Sequence, residues 1–209
     1  PANYNVFSIM LNNVRMTFKF VKLYNPSQLG ISNPLLEGIF AALSAYGDTN
    51  FIVDIETGFY TPQQIALELK NKFNDAATRV IYAFLNDPAN LPQYEVAKNL
   101  FDGYDRFNIV YNVVGQKLWF GNTADKFLLT NEDTLTSSQL LANGHCLRNQ
   151  QLDDWSSWGL PSNLGFTRCN ELSLSVKEYI KEQPLEASQN TALYEVNQVL
   201  QRELINGQN

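Results

Sequence analysis

Charge is scarce in this sequence. Charged residues make up 17% of the chain, low for an ordinary soluble domain, and histidine occurs once. Histidine-based acid–base chemistry would therefore have to run through His145, in the turn-like NGHC stretch. Cysteine is nearly absent: Cys146 and Cys169 allow one disulfide or a reduced pair, and their spacing decides for neither. His145 would make a third zinc donor, but no C-x-x-C or H-x-x-x-H spacing gathers the three, so no metal site is expected. No run approaches the roughly 18 apolar residues that a membrane-spanning helix needs. No signal-peptide pattern is read after Pro1. Basic stretches are missing too. A net charge of −6 and a pI near 4.8 argue against a general electrostatic grip on nucleic acid, and Arg15, Lys19 and Lys22 read as the wetted face of a strand.

The motifs of common chemistries are also lacking. There is no Walker A sequence, Rossmann fingerprint, EF-hand loop or G-x-S-x-G elbow. A glycosidase would need two carboxylates about 5 to 9 Å apart across a cleft. Asp102 with Asp105, and Asp153 with Asp154, sit among turn formers that favour solvated roles; Asp54 and Glu56 sit at a strand end. Neither an enzyme nor a cofactor is expected.

What the chain does have is apolar mass: 44% hydrophobic residues over 209 positions, enough for one large domain or a domain with an appendage. Its organising stretch runs from Phe51 to Phe73. Phe51, Ile52, Val53 and Ile55 favour a strand that stops at Gly58. Thr61 then caps a helix, with Pro62 at the first helical position and Gln64 placed to reach back to the cap amide. Ile65, Leu69 and Phe73 put an apolar face on that helix over residues 61–74.

Around this corner the pattern is mostly β. Val14, Met16, Phe18 and Phe20 alternate with Arg15, Thr17 and Lys19, and the apolar set then shifts to Val21 and Leu23, which predicts a bulge near Phe20 and Val21. The segment LLEGIFAALSAY reads either as a short helix weakened by Gly38 or as an exposed loop packing on a neighbour. RVIYAFL, within residues 78–85, reads as a covered strand. Gln93 to Leu100 reads as a short helical turn. Phe107 to Val113 and Lys117 to Phe120 read as a hairpin, with Phe127 to Leu129 completing a meander. Leu172, Leu174 and Val176 alternate as a final strand. Leu193, Val196, Leu200 and Leu204 then recur at helical spacing, giving a terminal amphipathic helix whose stripe is a candidate assembly interface. The expected division is a domain over residues 1–183, then a linker and helical tail over 184–209.

The corner residues Gly58, Tyr60, Thr61, Gln64, Ile65 and Leu69, with Leu164, Gly165 and Phe166 downstream, resemble the pattern of minor capsid and penton-type proteins of large icosahedral double-stranded DNA viruses. That resemblance implies a mainly β chain: an antiparallel β-sandwich of jelly-roll type, with a helix at the 61–74 corner. It also implies a structural part of a virion shell. The partners would be major and minor capsid proteins or copies of the chain itself, with no direct genome binding. Gly58, Phe59, Tyr60, Thr61, Pro62 and Gln64 would order the corner. The alternative is a carbohydrate-binding β-sandwich in which Trp155 and Trp158 form an aromatic platform, rather than plugging the end of the sheets.

Overall fold

In a computed structural model, the described residues are 5–9, 13–131, 159–166, 169–175 and 203–206. They form ten strands, β1(Asn5–Phe7), β2(Arg15–Lys22), β3(Phe51–Asp54), β4(Gly58–Tyr60), β5(Phe107–Asn112), β6(Lys117–Asn122), β7(Lys126–Leu129), β8(Glu171–Leu172), β9(Leu174–Ser175) and β10(Glu203–Asn206). The helices are α1(Pro34–Tyr46), α2(Pro62–Asn86), α3(Leu91–Leu100) and the short α4(Leu160–Asn163). The strands make two four-stranded antiparallel sheets, ordered β3-β2-β7-β8 and β5-β6-β10-β9, and a two-stranded ribbon of β1 and β4.

This corrects both the jelly-roll expectation and the resemblance to capsid and penton-type proteins that carried it. The fold is mixed α/β with small sheets, and a layer of helices packs where a sandwich would need strands. The largest single cause is α2, 25 residues long. Its buried residues include Ile65, Leu69, Phe73, Ala77, Ile81 and Leu85, one every four positions. RVIYAFL is thus the second half of this helix and not a strand; Tyr82, which made both faces look apolar, points to solvent.

The aromatic core explains how the layers meet. Phe18 of β2 stacks on Phe51 of β3 and on Phe73 of α2, with ring centroids 4.9 Å and 4.7 Å away, and meets Phe107 of β5 edge-on at 5.0 Å. Residues from both sheets and from α2 therefore share one cluster. The LLEGIFAALSAY segment is helical: the Asn33 side chain accepts from the amides of Leu35 and Leu36, and Pro34 occupies the first turn. Gly38 lets α1 come close to α3, since a Cβ there would lie 2.5 Å from the Cβ of Ala97. The expected bulge is present, as a register shift between Phe20 and Lys22.

The meander is not completed. Lys126–Leu129 leaves the hairpin and pairs with β2, because the Asn122 side chain accepts from the amides of Ala124 and Asp125 and turns the chain away. The final strand divides at Ser173. Its amide donates to the Phe127 carbonyl (2.8 Å) and its Oγ accepts from the Phe127 amide (2.9 Å), so β8 joins one sheet and β9 the other.

Candidate functional site

Two places concentrate unusual side chains: a polar knot inside the molecule and an apolar corner on its surface. The knot gathers around Asp125, which is 1% exposed. Its Oδ2 accepts from the Tyr104 hydroxyl and from Arg106 Nη1, each at 2.8 Å, and its Oδ1 accepts from the Tyr24 amide at 2.7 Å. Asn122 Nδ2 donates to the Tyr104 oxygen at 2.8 Å. The Arg106 guanidinium also lies 5.5 Å from the Tyr104 ring centroid and 5.8 Å from that of Tyr24. Burial, then the Asp125 charge, pushes the Tyr104 phenol well above the usual tyrosine range. Both Asp125 oxygens are engaged by the protein itself, so the knot ties the turn after β6 to the segments before β5 and after β2. That is the geometry of a structural cross-link.

The corner spans Glu56 to Lys72. The capping box is formed in full: Gln64 N–H donates to Thr61 Oγ1 (3.3 Å), and Thr61 N–H donates to Gln64 Oε1 (2.8 Å). Tyr60 donates its hydroxyl to the Glu56 carbonyl at 2.9 Å, and the Glu56 amide donates to Glu68 Oε1 at 3.3 Å. Lys72 Nζ lies 3.6 Å from Glu56 and 3.7 Å from Glu68. Burial, with Glu68 and Glu56 close by, raises the Tyr60 phenol above its ordinary range. The chain entering α2 is thus tied both to the helix ahead of it and to the turn behind it.

That frame presents an aromatic side chain to solvent. In the β1–β4 ribbon Val6 lies opposite Phe59, and Phe7 lies opposite Gly58. Because strand side chains alternate, Phe7 turns inward, buried and edge-on to the Tyr60 ring at 5.7 Å, while Val6 and Phe59 turn outward. They are 43% and 71% exposed. A Cβ on Gly58 would stand 3.6 Å from Tyr60 Cε2, and Pro62 fills the first turn of α2.

Of the residues expected to matter, Gly58, Phe59, Tyr60, Thr61, Pro62 and Gln64 come together at this corner. Leu204 lies in β10, opposite Gly121 of β6 and Leu174 of β9, and not in a helix. Leu193, Val196 and Leu200 fall outside the described residues, as do Trp155, Trp158, His145, Cys146 and the expected boundary at residue 184. Asp54 is held by Arg15 through two short contacts, 2.7 Å and 2.6 Å, and is a strand-edge ion pair. The knot was missed by sequence reading. Its members are 24, 104, 106, 122 and 125, and no local spacing announces such a set. Among the described residues no group of three or more His, Cys, Asp or Glu side chains stands close enough to hold a metal ion, and no helix is long and apolar enough to cross a membrane.

Comparison with known proteins adds no relative: no family model, curated protein or solved structure matches the chain.

Proposed function

We propose that this chain is a structural subunit that binds neighbouring protein chains, and that the outer face of the β1–β4 ribbon is a contact surface. One observation carries the reading: a large aromatic side chain, Phe59, is held in solvent by a corner whose backbone is hydrogen-bonded on both sides. An exposed aromatic beside an exposed Val6 has the composition of an interface anchor, since aromatic residues dominate the energetics of protein contacts. Holding it rigid lowers the entropy lost on docking. The expected place in a virus shell, among capsid subunits, loses its jelly-roll ground; the part kept here is the wider one, an assembly subunit. The carbohydrate-binding alternative rests on Trp155 and Trp158, outside the described residues, and gains no support from this geometry.

The test is the mass in solution, by light scattering over a concentration series, of the chain and of its Phe59→Ser variant. Association that weakens at least tenfold in the variant supports the reading. Identical masses for both proteins at every concentration refute self-assembly through the corner.

A further inference from the structure

The register of the β5–β6 pair decides which backbone groups of β5 are left over. The Thr123 amide donates to the Arg106 carbonyl, so alternation turns the N–H and C=O groups of Asn108, Val110 and Asn112 toward β6. Those of Phe107, Ile109 and Tyr111 turn away from it, to the outer edge of the sheet. At Phe107 one side chain of α2 takes both. Asn74 Nδ2 donates to the Phe107 carbonyl and Asn74 Oδ1 accepts from the Phe107 amide, each at 2.9 Å, so the Asn74 amide stands where a neighbouring strand's backbone would. At Ile109 and Tyr111 nothing among the described residues meets the outward groups. Backbone amides are rarely buried without a partner, which leaves this edge facing water.

Both ends of the open edge are marked. Asn74 closes it at Phe107, and after Asn112 the chain turns back, with Asn112 Oδ1 accepting from the amides of Val114 and Gly115. Between them lies Asn-Ile-Val-Tyr-Asn, residues 108–112, centred on Val110. A second copy, running antiparallel, fits this stretch in one register: Ile109 opposite Tyr111 of the other copy, and Tyr111 opposite its Ile109. A shift one way meets the closed Phe107, and a shift the other way meets the turn. In the fitting register Val110 faces Val110 and Asn108 faces Asn112, while Val113, 67% exposed in the single chain, comes opposite Phe107 of the other copy. Charge does not oppose the contact locally. From Phe107 to Gln116 there is neither a charged residue nor a proline, the usual devices that keep strand edges apart, in a chain whose net charge of −6 otherwise repels its copy.

We propose that two copies of the chain pair through β5, antiparallel about a two-fold axis at Val110, so that their four-stranded sheets join into one. The pairing uses a different sheet from the Phe59 corner, and either contact can fail without the other. The experiment is disulfide trapping in the full chain carrying Cys146→Ser and Cys169→Ser. Residues facing each other across a non-hydrogen-bonded pair have Cα atoms about 4.5 Å apart, within disulfide range, so Val110→Cys is expected to give a covalent dimer on mild oxidation. Asn108→Cys is expected to stay uncrosslinked, since its counterpart stands four residues away, roughly 13 Å. Light scattering on chains with the native cysteines gives a second reading. Asn108→Asp with Asn112→Asp keeps the turn's acceptor and sets carboxylates opposite each other, which should weaken dimerisation by about tenfold. Asn108→Lys with Asn112→Asp sets opposite charges in the same places and should return it to within about threefold of the parent. If Val110→Cys does not fold, these two variants decide alone. Phe59→Ser should leave the Val110→Cys cross-link unchanged. A folded Val110→Cys chain that does not cross-link, equal trapping at Asn108→Cys, or equal association of the two charged variants overturns the proposal.

Discussion

The polar knot and the apolar corner reverse the usual placement of side chains. At the knot a carboxylate and a guanidinium lie inside, 2.8 Å apart; at the corner a phenylalanine lies outside. The reversal has a different meaning in each. Inside, Asp125 is matched on both oxygens, and the arrangement joins three segments distant in sequence. Outside, Phe59 contributes little to the core, while every neighbour in the corner serves to fix where it stands. Buried polarity here is structure, and exposed apolarity is, on the reading proposed above, the part left for a partner.

Substitutions that separate stability from association test this contrast. The largest effect is expected from Asp125→Ala, which leaves Arg106 partly buried without its counter-ion; a loss of about 3 to 5 kcal/mol in chemical denaturation is expected. A loss below about 1 kcal/mol would mean that the knot is dispensable. Alkali should probe the same region. The folded state holds the Tyr104 proton more tightly than the unfolded chain does, so the stabilisation is complete below the unfolded tyrosine pKa of about 10 and is lost as pH rises above it. Tyr104→Phe should flatten that alkaline decline, and an unchanged slope in urea melts between pH 9 and 11 would contradict the assignment.

Smaller effects belong to the helix frame. Gly38→Ala gains helix propensity but forces a Cβ to within 2.5 Å of the Cβ of Ala97, so a net loss of about 1 kcal/mol is expected, partly restored by Ala97→Gly in the same chain. Thr61→Ala removes one half of the capping box and should cost about 1 kcal/mol by thermal or chemical melts. Last comes Phe59→Ser, expected to change stability by no more than about 0.5 kcal/mol while weakening association. A large stability loss there would make Phe59 a core residue and remove the contrast altogether.

The corner was readable in advance because its signals are local: a cap, a proline and a glutamine within four positions reproduce the capping box seen in the structure. The bulge after Phe20 and the hairpin of β5 and β6 were legible for the same reason. The two halves of α2 show where local reading fails. Ile65, Leu69 and Phe73 gave the first half, and Ala77, Ile81 and Leu85 continue the same interval, yet Val80, Ile81 and Tyr82 in succession mimic a strand. With that helix cut short, the chain read as mostly β, and the resemblance to capsid and penton-type proteins then implied a β-sandwich. The knot and the β6–β10 pairing depend on contacts across tens of residues, and a single chain's local pattern carries no record of them.

The position of β10 has a consequence for how the protein is made. This strand sits between β6 and β9, so the sheet begun by the hairpin at Phe107 receives its third strand only from residues 203–206. On a ribosome, synthesis proceeds from the N-terminus, and the β6 edge carrying Trp119 and Phe120 is complete long before its partner emerges. During that interval the nascent chain offers an unpaired edge to other chains or to a chaperone. Emergence of residues 203–206, and not the formation of the hairpin, is then the event that closes the sheet.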